Sequence, residues 1–219
     1  MKVTILAANG QIAHLVENEI LTNPEYKDVE LSLMLRNKNR LNDLADDPRV
    51  TLFEGDLNKL DDVVAATKDA DLVWSAVVDH DAQNRPTKNV IEAAKQNGFK
   101  RYINTSLLGI YDEVSGAFGK WNRDTCFNGD PTGSAPTVAD EMLEKSDLDN
   151  TTLRLPWLND RDEVKYKLTH RHDTYYGVSG SRKSMADVVL KIIADPSFAS
   201  NDSLGIADPD TEGSDRPVY

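Results

Sequence analysis

The sequence predicts a single α/β domain, residues 1–219, in which helices cover both faces of a doubly wound parallel sheet. Strand-like and helix-like runs alternate along the first half of the chain, which is the pattern of consecutive βαβ units. Residues Leu72–Val78 are almost entirely apolar, and strands that are buried on both faces are typical of parallel sheets. The predicted strands are Lys2–Ala8, Val29–Arg36, Val50–Glu54, Leu72–Val77, Arg101–Thr105 and Thr151–Leu155.

The first strand runs into a turn of small residues that opens a helix. Ile12, Leu15 and Val16 begin the apolar face of that helix. The N–H groups at a helix start and the helix dipole both favour a negatively charged group, such as the pyrophosphate of a dinucleotide. The candidate phosphate-binding residues are therefore Asn9, Gly10, Gln11 and Ile12.

Three positions in such a turn are usually glycine, and here they are Ala7, Gly10 and Ala13. Gly10 is the middle position, where glycine lets the backbone approach the pyrophosphate. A methyl group at Ala7 crowds the tight turn, so this residue weakens the match. An ordinary strand-to-helix turn without a ligand is the alternative interpretation.

Later helices are indicated by their end signals. Pro86 can occupy a first turn, and Gly98 can end the same helix. Thr137 and Asp140 have the spacing of a capping box at the start of a helix over residues 136–145. A further helix is predicted over Met185–Ala194, before Asp195 and Pro196.

Two segments lack a regular pattern and are expected to form a small cover region over a cleft. They are residues 107–134 and 158–180, and the first is rich in Gly, Asp and Asn with several aromatic side chains. The tail, Asp208–Tyr219, combines Pro, Gly and acidic residues and is expected to lie across the surface as a strap.

Composition excludes some classes of protein. The chain has 39% hydrophobic residues, which is typical of a globular domain, and its net charge is −12. Such an acidic surface repels nucleic acid and anionic membranes, so neither is an expected partner. Cys126 is the only cysteine, and no signal-peptide or membrane-spanning pattern is present, so we expect a cytoplasmic protein without disulfides.

Polar residues follow the second and third predicted strands, where an open α/β sheet binds its ligands. Arg36 stands where an acidic residue would bind the 2′-hydroxyl of NAD, and its guanidinium suits the 2′-phosphate of NADP. A solvated basic turn over 36–40 is the alternative. Asp56 can accept a hydrogen bond from the adenine amino group, with Leu57 covering the ring, or it can cap the next helix.

The ends of the fourth and fifth strands add further candidates. Ala76 and Val77 are small and apolar, so a ribose could pack on the backbone there. His80 lies between two aspartates and could act as an acid or base, although a solvated loop is the more common role of such a cluster. Ser106 could donate a hydrogen bond to a substrate carbonyl beside the nicotinamide.

Several motifs occur in a familiar order along the chain. They are Ala7–Ala13, Leu35–Asn37, Glu54–Leu57, Tyr102–Ser106, Glu144–Leu158 and Ser181–Val189. In this order and spacing the chain resembles the atypical short-chain dehydrogenase/reductases, the NmrA-like NAD(P)-binding proteins that include epimerase/dehydratase-like members. The resemblance covers nearly the whole chain.

The resemblance implies a Rossmann domain that binds a pyridine dinucleotide, with NADP(H) favoured and NAD(H) as the alternative. It places the pyrophosphate at Gly10–Ile12, the 2′-phosphate at Arg36 and the adenine at Asp56 and Leu57. It places Ala76 and Val77 beside the ribose, Ser106 beside the nicotinamide, and Pro156 and Trp157 at the nicotinamide end. Ser181 or Ser184 is the expected N-cap of the last helix.

The chain departs from the catalytic members of that family, which use a Tyr and a Lys four residues later. None of Tyr102, Tyr111, Tyr166, Tyr175 and Tyr176 has a Lys at that spacing. The catalytic candidates are Ser106, with Tyr111 or water as the proton donor, and no metal site is predicted.

Three functional hypotheses follow. The first is an oxidoreductase that passes hydride from NADPH to a small carbonyl or quinone-like acceptor. The second is a non-catalytic NADP(H) sensor, and the third is a fold that has lost its cofactor. The expected partners are a small-molecule substrate or none, with a homodimer as the candidate assembly.

Overall fold

The computed structural model describes residues 1–219, and its centre is an eight-stranded sheet. The strand order is β3-β2-β1-β4-β5-β6-β10-β8, and only the β10–β8 pair is antiparallel. The bounds are β1 Lys2–Leu6, β2 Glu30–Leu35, β3 Val50–Glu54, β4 Leu72–Ser75, β5 Arg101–Leu107, β6 Asp149–Leu155, β7 Trp157–Asn159, β8 Lys167–Thr169, β9 Ser179–Ser181 and β10 Asp202–Ala207. β7 and β9 form a separate two-stranded parallel sheet.

Six α-helices cover the main sheet and its carboxyl edge. They are α1 Gln11–Thr22, α2 Leu60–Ala66, α3 Arg85–Asn97, α4 Gly116–Cys126, α5 Ala135–Glu144 and α6 Arg182–Ala194. α1 and α6 pack together on one face of the sheet, whereas α2, α3 and α5 cover the other. The predicted fold class, a doubly wound parallel sheet with helices on both faces, is therefore confirmed.

The core has one apolar layer on each face of the sheet. Ile5, Trp74 and Ile103 point from the central strands toward α1 and α6. Val73 and Tyr102 point the other way, toward α2, α3 and α5. This alternation explains why the central strands read as continuous apolar runs, since both of their faces are buried.

The six predicted strands are present, and their ends differ from the predicted ones by at most two residues. Four strands, β7–β10, and helix α4 were not predicted. β10 contains Gly205, which is unusual inside a strand, but a Cβ there would lie only 2.7 Å from the Tyr175 ring. The glycine is needed for this close packing. Because glycine is rare inside strands, the sequence pattern did not predict β10.

Of the two predicted N-terminal helix caps, the structure has the one at α6 but not the one at α5. Ser181 is the N-cap of α6, and its hydroxyl accepts from the N–H of Ser184 at 3.0 Å, which confirms one of the two predicted caps. The predicted capping box is wrong, because Ser134 is the N-cap of α5 and the Thr137 hydroxyl instead donates to the Pro131 carbonyl.

The carboxyl edge beyond β6 is built from short elements and a small third apolar cluster. Phe118 of α4 packs there with Leu108, Tyr175 and Val178. The C-terminal segment crosses this region, where the Thr211 hydroxyl bonds to the amide of Val178 and the amide of Val218 donates to Ser179 Oγ. None of the helices combines the length and apolar character needed to cross a membrane.

Candidate functional site

A cleft of about 780 Å³ lies at the carboxyl ends of β1–β4. The strand order reverses between β1 and β4, so the cleft is at the switch point where α/β sheets bind their ligands. Its volume is within the range of small-molecule sites. Its lining includes seven of the predicted cofactor residues, Asn9, Gly10, Arg36, Asp56, Leu57, Ala76 and Val77.

The turn after β1 forms the floor of the cleft. Ala7 has a φ of +61°, the left-handed conformation that glycine adopts most easily, so the chain keeps the turn at the cost of some strain. Gly10 is the N-cap of α1, and no side chain accepts a hydrogen bond from the first turn of that helix. The free N–H groups and the helix dipole therefore offer a site for an anion.

The other two residues of the predicted phosphate loop lie beside the cleft. Gln11 lines a neighbouring cavity of about 340 Å³ together with Arg161 and Arg182. The Ile12 side chain packs against the core, which leaves only its backbone N–H for a ligand.

Two arginines stand at the rim of the cleft after β2. Arg36 and Arg40 are both exposed, both line the cleft, and neither forms an ion pair within the chain. Two free guanidiniums on one cleft of an acidic protein form a local positive site that suits a phosphate. Arg40 was not singled out from the sequence, although its place in the basic run after β2 was a usable signal.

Asp56 faces the same end of the cleft. Its Oδ1 accepts from the backbone and the side-chain amides of Asn58, each at 2.9 Å, and these bonds hold its pKa below the ordinary value. Arg36 adds a smaller effect in the same direction. Asp56 does not cap α2, whose N-cap is Lys59, so its second oxygen remains available to a ligand.

The loop after β4 forms the opposite wall. Val77 is 41% exposed, which leaves an apolar side chain open to the cleft. His80 is exposed, and its two neighbours are occupied: Asp79 accepts from Thr87, and Asp81 pairs with Arg85. The acid–base interpretation of His80 therefore gains no support from the geometry.

Ser106 lies further along the carboxyl edge, near the end of β5. It is 1% exposed, and its Oγ has no hydrogen-bond partner. The protein gives this hydroxyl no hydrogen-bond acceptor, so it is able to donate to a group that reaches the carboxyl end of β5. The strand register places Ser106 beside Arg154 of β6, on the face that α5 covers.

The Tyr111 hydroxyl is already engaged. It donates to Asp140 Oδ2 at 2.5 Å and accepts from Arg171 Nη1 at 2.7 Å. The guanidinium carbons of Arg154 and Arg171 lie 5.2 and 5.6 Å from its ring centroid. Burial and the Asp140 carboxylate raise the pKa of Tyr111, so the phenol keeps its proton at neutral pH.

Pro156 and Trp157 follow β6 and do not line the cleft. The Trp157 Nε1 donates to Asn122 Oδ1 at 3.1 Å, and Pro156 lies against Gly180. These residues stand at the same carboxyl edge as Ser106, because the amide of Leu108 donates to the Leu155 carbonyl. No group of three or more His, Cys, Asp or Glu side chains is arranged to hold a metal ion.

The site as a whole fits a dinucleotide. The helix start, the free arginines and the open carboxylate lie around one cleft, and the unpaired Ser106 hydroxyl lies further along the same edge. These groups can bind pyrophosphate, a ribose phosphate, an adenine and a polar group next to the reactive ring.

Comparison with known proteins also supports a dinucleotide-binding site. The NAD(P)H-binding family model matches residues 7–196. A short-chain dehydrogenase/reductase from Veillonella parvula DSM 2008, solved in complex with NADP, is 27% identical, with a TM-score of 0.88 over 100% of this chain and 99% of that chain. A Rossmann-fold NAD(P)-binding family protein from Shigella flexneri is 28% identical, with a TM-score of 0.78 over 100% and 98%.

A more distant structure shares the fold. ChuY, an anaerobillin reductase from Escherichia coli O157:H7, is 20% identical, with a TM-score of 0.77 over 98% of this chain and 100% of that chain. No curated protein matches the chain.

Proposed function

Because the chain belongs to the NAD(P)H-binding family, we propose that it is an NADP(H)-dependent oxidoreductase of the atypical short-chain dehydrogenase/reductase type. Its acceptor is a small carbonyl or quinone-like compound. The observation that carries the proposal is the pair of free arginines, Arg36 and Arg40, at the adenosine end of the cleft. The NADP complex of the Veillonella protein supports the same cofactor.

Each part of the cleft has a role in holding the cofactor. The N–H groups of Gly10, Gln11 and Ile12 bind the pyrophosphate at the start of α1. Arg36 and Arg40 bind the 2′-phosphate, and guanidiniums suit this because their planar donors match phosphate oxygens. The adenine amino group donates to the free oxygen of Asp56, and Leu57 packs on the ring, while Ala76 and Val77 line the ribose.

NADPH supplies the acceptor with a hydride, which carries two electrons, and one further proton completes the reduction. Ser106 donates a hydrogen bond to the acceptor carbonyl, which stabilises the negative charge that develops on that oxygen. We assign the proton to water that reaches the open edge, because the Tyr111 hydroxyl is already donated to Asp140. Tyr111 is the alternative donor if that bond exchanges for one to the substrate.

The catalytic part of the proposal is tested with Ser106→Ala and Tyr111→Phe, by following the oxidation of NADPH with a panel of quinones and aldehydes. Loss of the Ser106 hydroxyl is expected to lower kcat/KM by about a hundredfold, as for other donors to a developing oxyanion. Tyr111→Phe is expected to lower it by less than about tenfold if water supplies the proton.

Thr105→Val is the matched control, because its side chain points to the opposite face of β5, where it accepts from Trp74. Equal losses in Ser106→Ala and Thr105→Val would remove the specific role of Ser106. A loss of about a hundredfold or more in Tyr111→Phe would make Tyr111 the proton donor instead of water.

One observation favours the second candidate function, a non-catalytic NADP(H) sensor. Helix α5 carries neither a Tyr nor a Lys, so the usual proton-donating pair is absent from its usual helix. A protein that binds NADPH with micromolar affinity but oxidises it with no acceptor of the panel would support the sensor and contradict the enzyme.

A further inference from the structure

Arg161 is a cation that faces the start of α1 across a small cavity. It follows the carboxyl end of β7 and lines the cavity of about 340 Å³ to which Gln11 also contributes. Gly10 lines the cofactor cleft and Gln11 lines this cavity, so the two spaces lie on either side of the first residues of α1. Arg161 therefore stands beside the N–H groups to which we assign the pyrophosphate.

The guanidinium of Arg161 is held only loosely by the protein. Its one ion pair is with Asp208, whose Oδ2 lies 3.9 Å from Nη1, and its Nη2 donates to the backbone oxygen of Tyr219 at 3.2 Å. The Asp208 carboxylate lies closer to Lys165 Nζ, at 3.5 Å. Because the Arg161 side chain is 40% exposed, its ion pair is weak and can be exchanged for a stronger one.

The backbone at Arg161, in contrast, is fixed. Its N–H donates to Asn159 Oδ1 at 3.3 Å, and Asn159 Nδ2 donates to the Val218 carbonyl at 3.1 Å. Asn159 is itself buried, with 5% of its surface exposed. Asn159 therefore holds the base of the Arg161 side chain in place, while the charged end is able to change its partner.

The other charged side chains of the cavity are already paired with one another. Arg182 Nη1 lies 2.8 Å from Asp160 Oδ1, and Lys183 Nζ pairs with Asp162. With Arg161 the lining has three cations and two carboxylates, so one positive charge is in excess. On a chain with a net charge of −12, this excess charge favours an anion at the start of α1.

The proposed pyrophosphate site has no cation of its own inside the cleft. The cations that line the cleft are Arg36 and Arg40, and both follow β2 at the adenosine end. The N–H groups at the start of α1 offer the phosphates only the partial charge of a helix end. A guanidinium can bind phosphate oxygens through two parallel hydrogen bonds, and it would supply the full charge that this part of the site lacks.

We propose that Arg161 exchanges its contacts with Asp208 and Tyr219 for an ion pair with the pyrophosphate when the cofactor binds. The segment after β7 thereby adds a binding residue to the phosphate loop. This inference rests on the proposed cofactor site. It assigns to Arg161 a part of the affinity that is equal for NADP(H) and NAD(H), because both carry the pyrophosphate, whereas Arg36 binds a phosphate that only NADP(H) has.

The test compares Arg161→Ala with the wild type for NADPH, NADH and adenosine 2′-monophosphate, which has the 2′-phosphate but no pyrophosphate. Nicotinamide fluorescence measures the binding of NADPH and NADH, and displacement of NADPH measures that of the monophosphate. Arg161→Ala is expected to weaken NADPH and NADH binding about tenfold each, since a charge-assisted hydrogen bond is lost, and to leave the monophosphate unchanged. Arg161→Lys should recover part of the loss.

Lys183→Ala is the matched control, because it removes an equal charge from the same cavity in a side chain that already pairs with Asp162. An equal loss of NADPH affinity in Lys183→Ala would indicate general electrostatics and overturn the assignment of Arg161. Unchanged affinities for NADPH and NADH in Arg161→Ala would overturn it as well. So would an equal loss for the monophosphate, because the whole cleft would then be disturbed.

Failure of the proposed cofactor site gives a different result. A wild type that binds neither NADPH nor NADH contradicts the cofactor site and this inference with it. A wild type that binds both, with affinities that Arg161→Ala leaves unchanged, contradicts this inference alone.

Discussion

Glu17 is a carboxylate that lies outside the cleft and is buried on the core face of α1. Its side chain is 2% exposed on the buried face of α1, with Oε2 at 3.2 Å from His14 Nδ1 and Oε1 without a partner. Burial, and to a smaller extent the nearby Asp43, raise the pKa of Glu17 from about 4.5 to about 8. The buried carboxyl group is therefore mostly protonated at neutral pH.

This shift predicts a pH dependence of stability. Below pH 4.5 both the folded and the unfolded states hold the proton, whereas between about pH 4.5 and pH 8 the unfolded state releases it first. The free energy of unfolding should therefore fall with rising pH in this window, by up to about 1.4 kcal/mol per pH unit from this group. Glu17→Gln should remove that contribution and raise stability at pH 8 more than at pH 5.

Urea unfolding at several pH values measures the effect, with Glu30→Gln as an exposed control. If the wild type and Glu17→Gln show the same pH dependence, Glu17 ionises normally and its burial has no such consequence. The sequence could not predict this residue, because Glu is also common on exposed helix faces and only the packing of α1 buries it.

One buried ion pair connects the irregular segments at the carboxyl edge of the sheet. Arg154 Nη1 lies 2.8 Å from Glu113 Oε1, and the two side chains are 0% and 3% exposed. The Glu113 carboxylate also accepts from the amides of Gly109 and Tyr111, each at 2.9 Å. Arg154 further bonds to the backbone oxygens of His170 and Ser203, so loops distant in sequence meet at one guanidinium.

Removing one partner of this pair should be strongly destabilising. Arg154→Met leaves the Glu113 carboxylate buried without its cation, which typically costs about 3–5 kcal/mol of unfolding free energy. The double variant Arg154→Met, Glu113→Leu should recover part of this loss, because no uncompensated charge remains. Chemical denaturation gives both values. A loss below about 1 kcal/mol in Arg154→Met would show that the loops do not depend on the pair.

The first half of the chain was predictable because its elements are specified locally. Strands buried on both faces read as apolar runs, and the helices between them have periodic apolar faces. Helix α4 was missed for the opposite reason. Its sequence is polar and contains Gly119, where a Cβ would lie only 2.0 Å from the Val114 carbonyl oxygen, so this helix depends on a close tertiary contact.

The topology of the sheet explains why most residues of the candidate site could be predicted from the sequence. Parallel strands end at one edge, so the loops after β1, β2, β3 and β4 had to meet, and their residues do line one cleft. The bonding of Tyr111 to Asp140 and Arg171 could not be predicted, because these residues are 29 and 60 positions away in sequence.

The acidic surface of the whole chain makes the binding of an anionic cofactor depend on local positive charge. The net charge of −12 opposes the binding of an anionic cofactor, and the free arginines at the cleft rim supply the local attraction that binding needs. We therefore propose that Arg36, with Arg40 beside it, makes the cleft prefer NADP(H).

The deciding measurement is a titration of the wild type and Arg36→Ala with NADPH and NADH, followed by nicotinamide fluorescence. We expect the wild type to bind NADPH more tightly than NADH. Arg36→Ala should weaken NADPH binding by about 10–100-fold, as expected for a lost charge-assisted hydrogen bond, and change NADH binding little. Equal losses for both cofactors would contradict the proposed role of Arg36, and no binding of either by the wild type would contradict the proposed cofactor site.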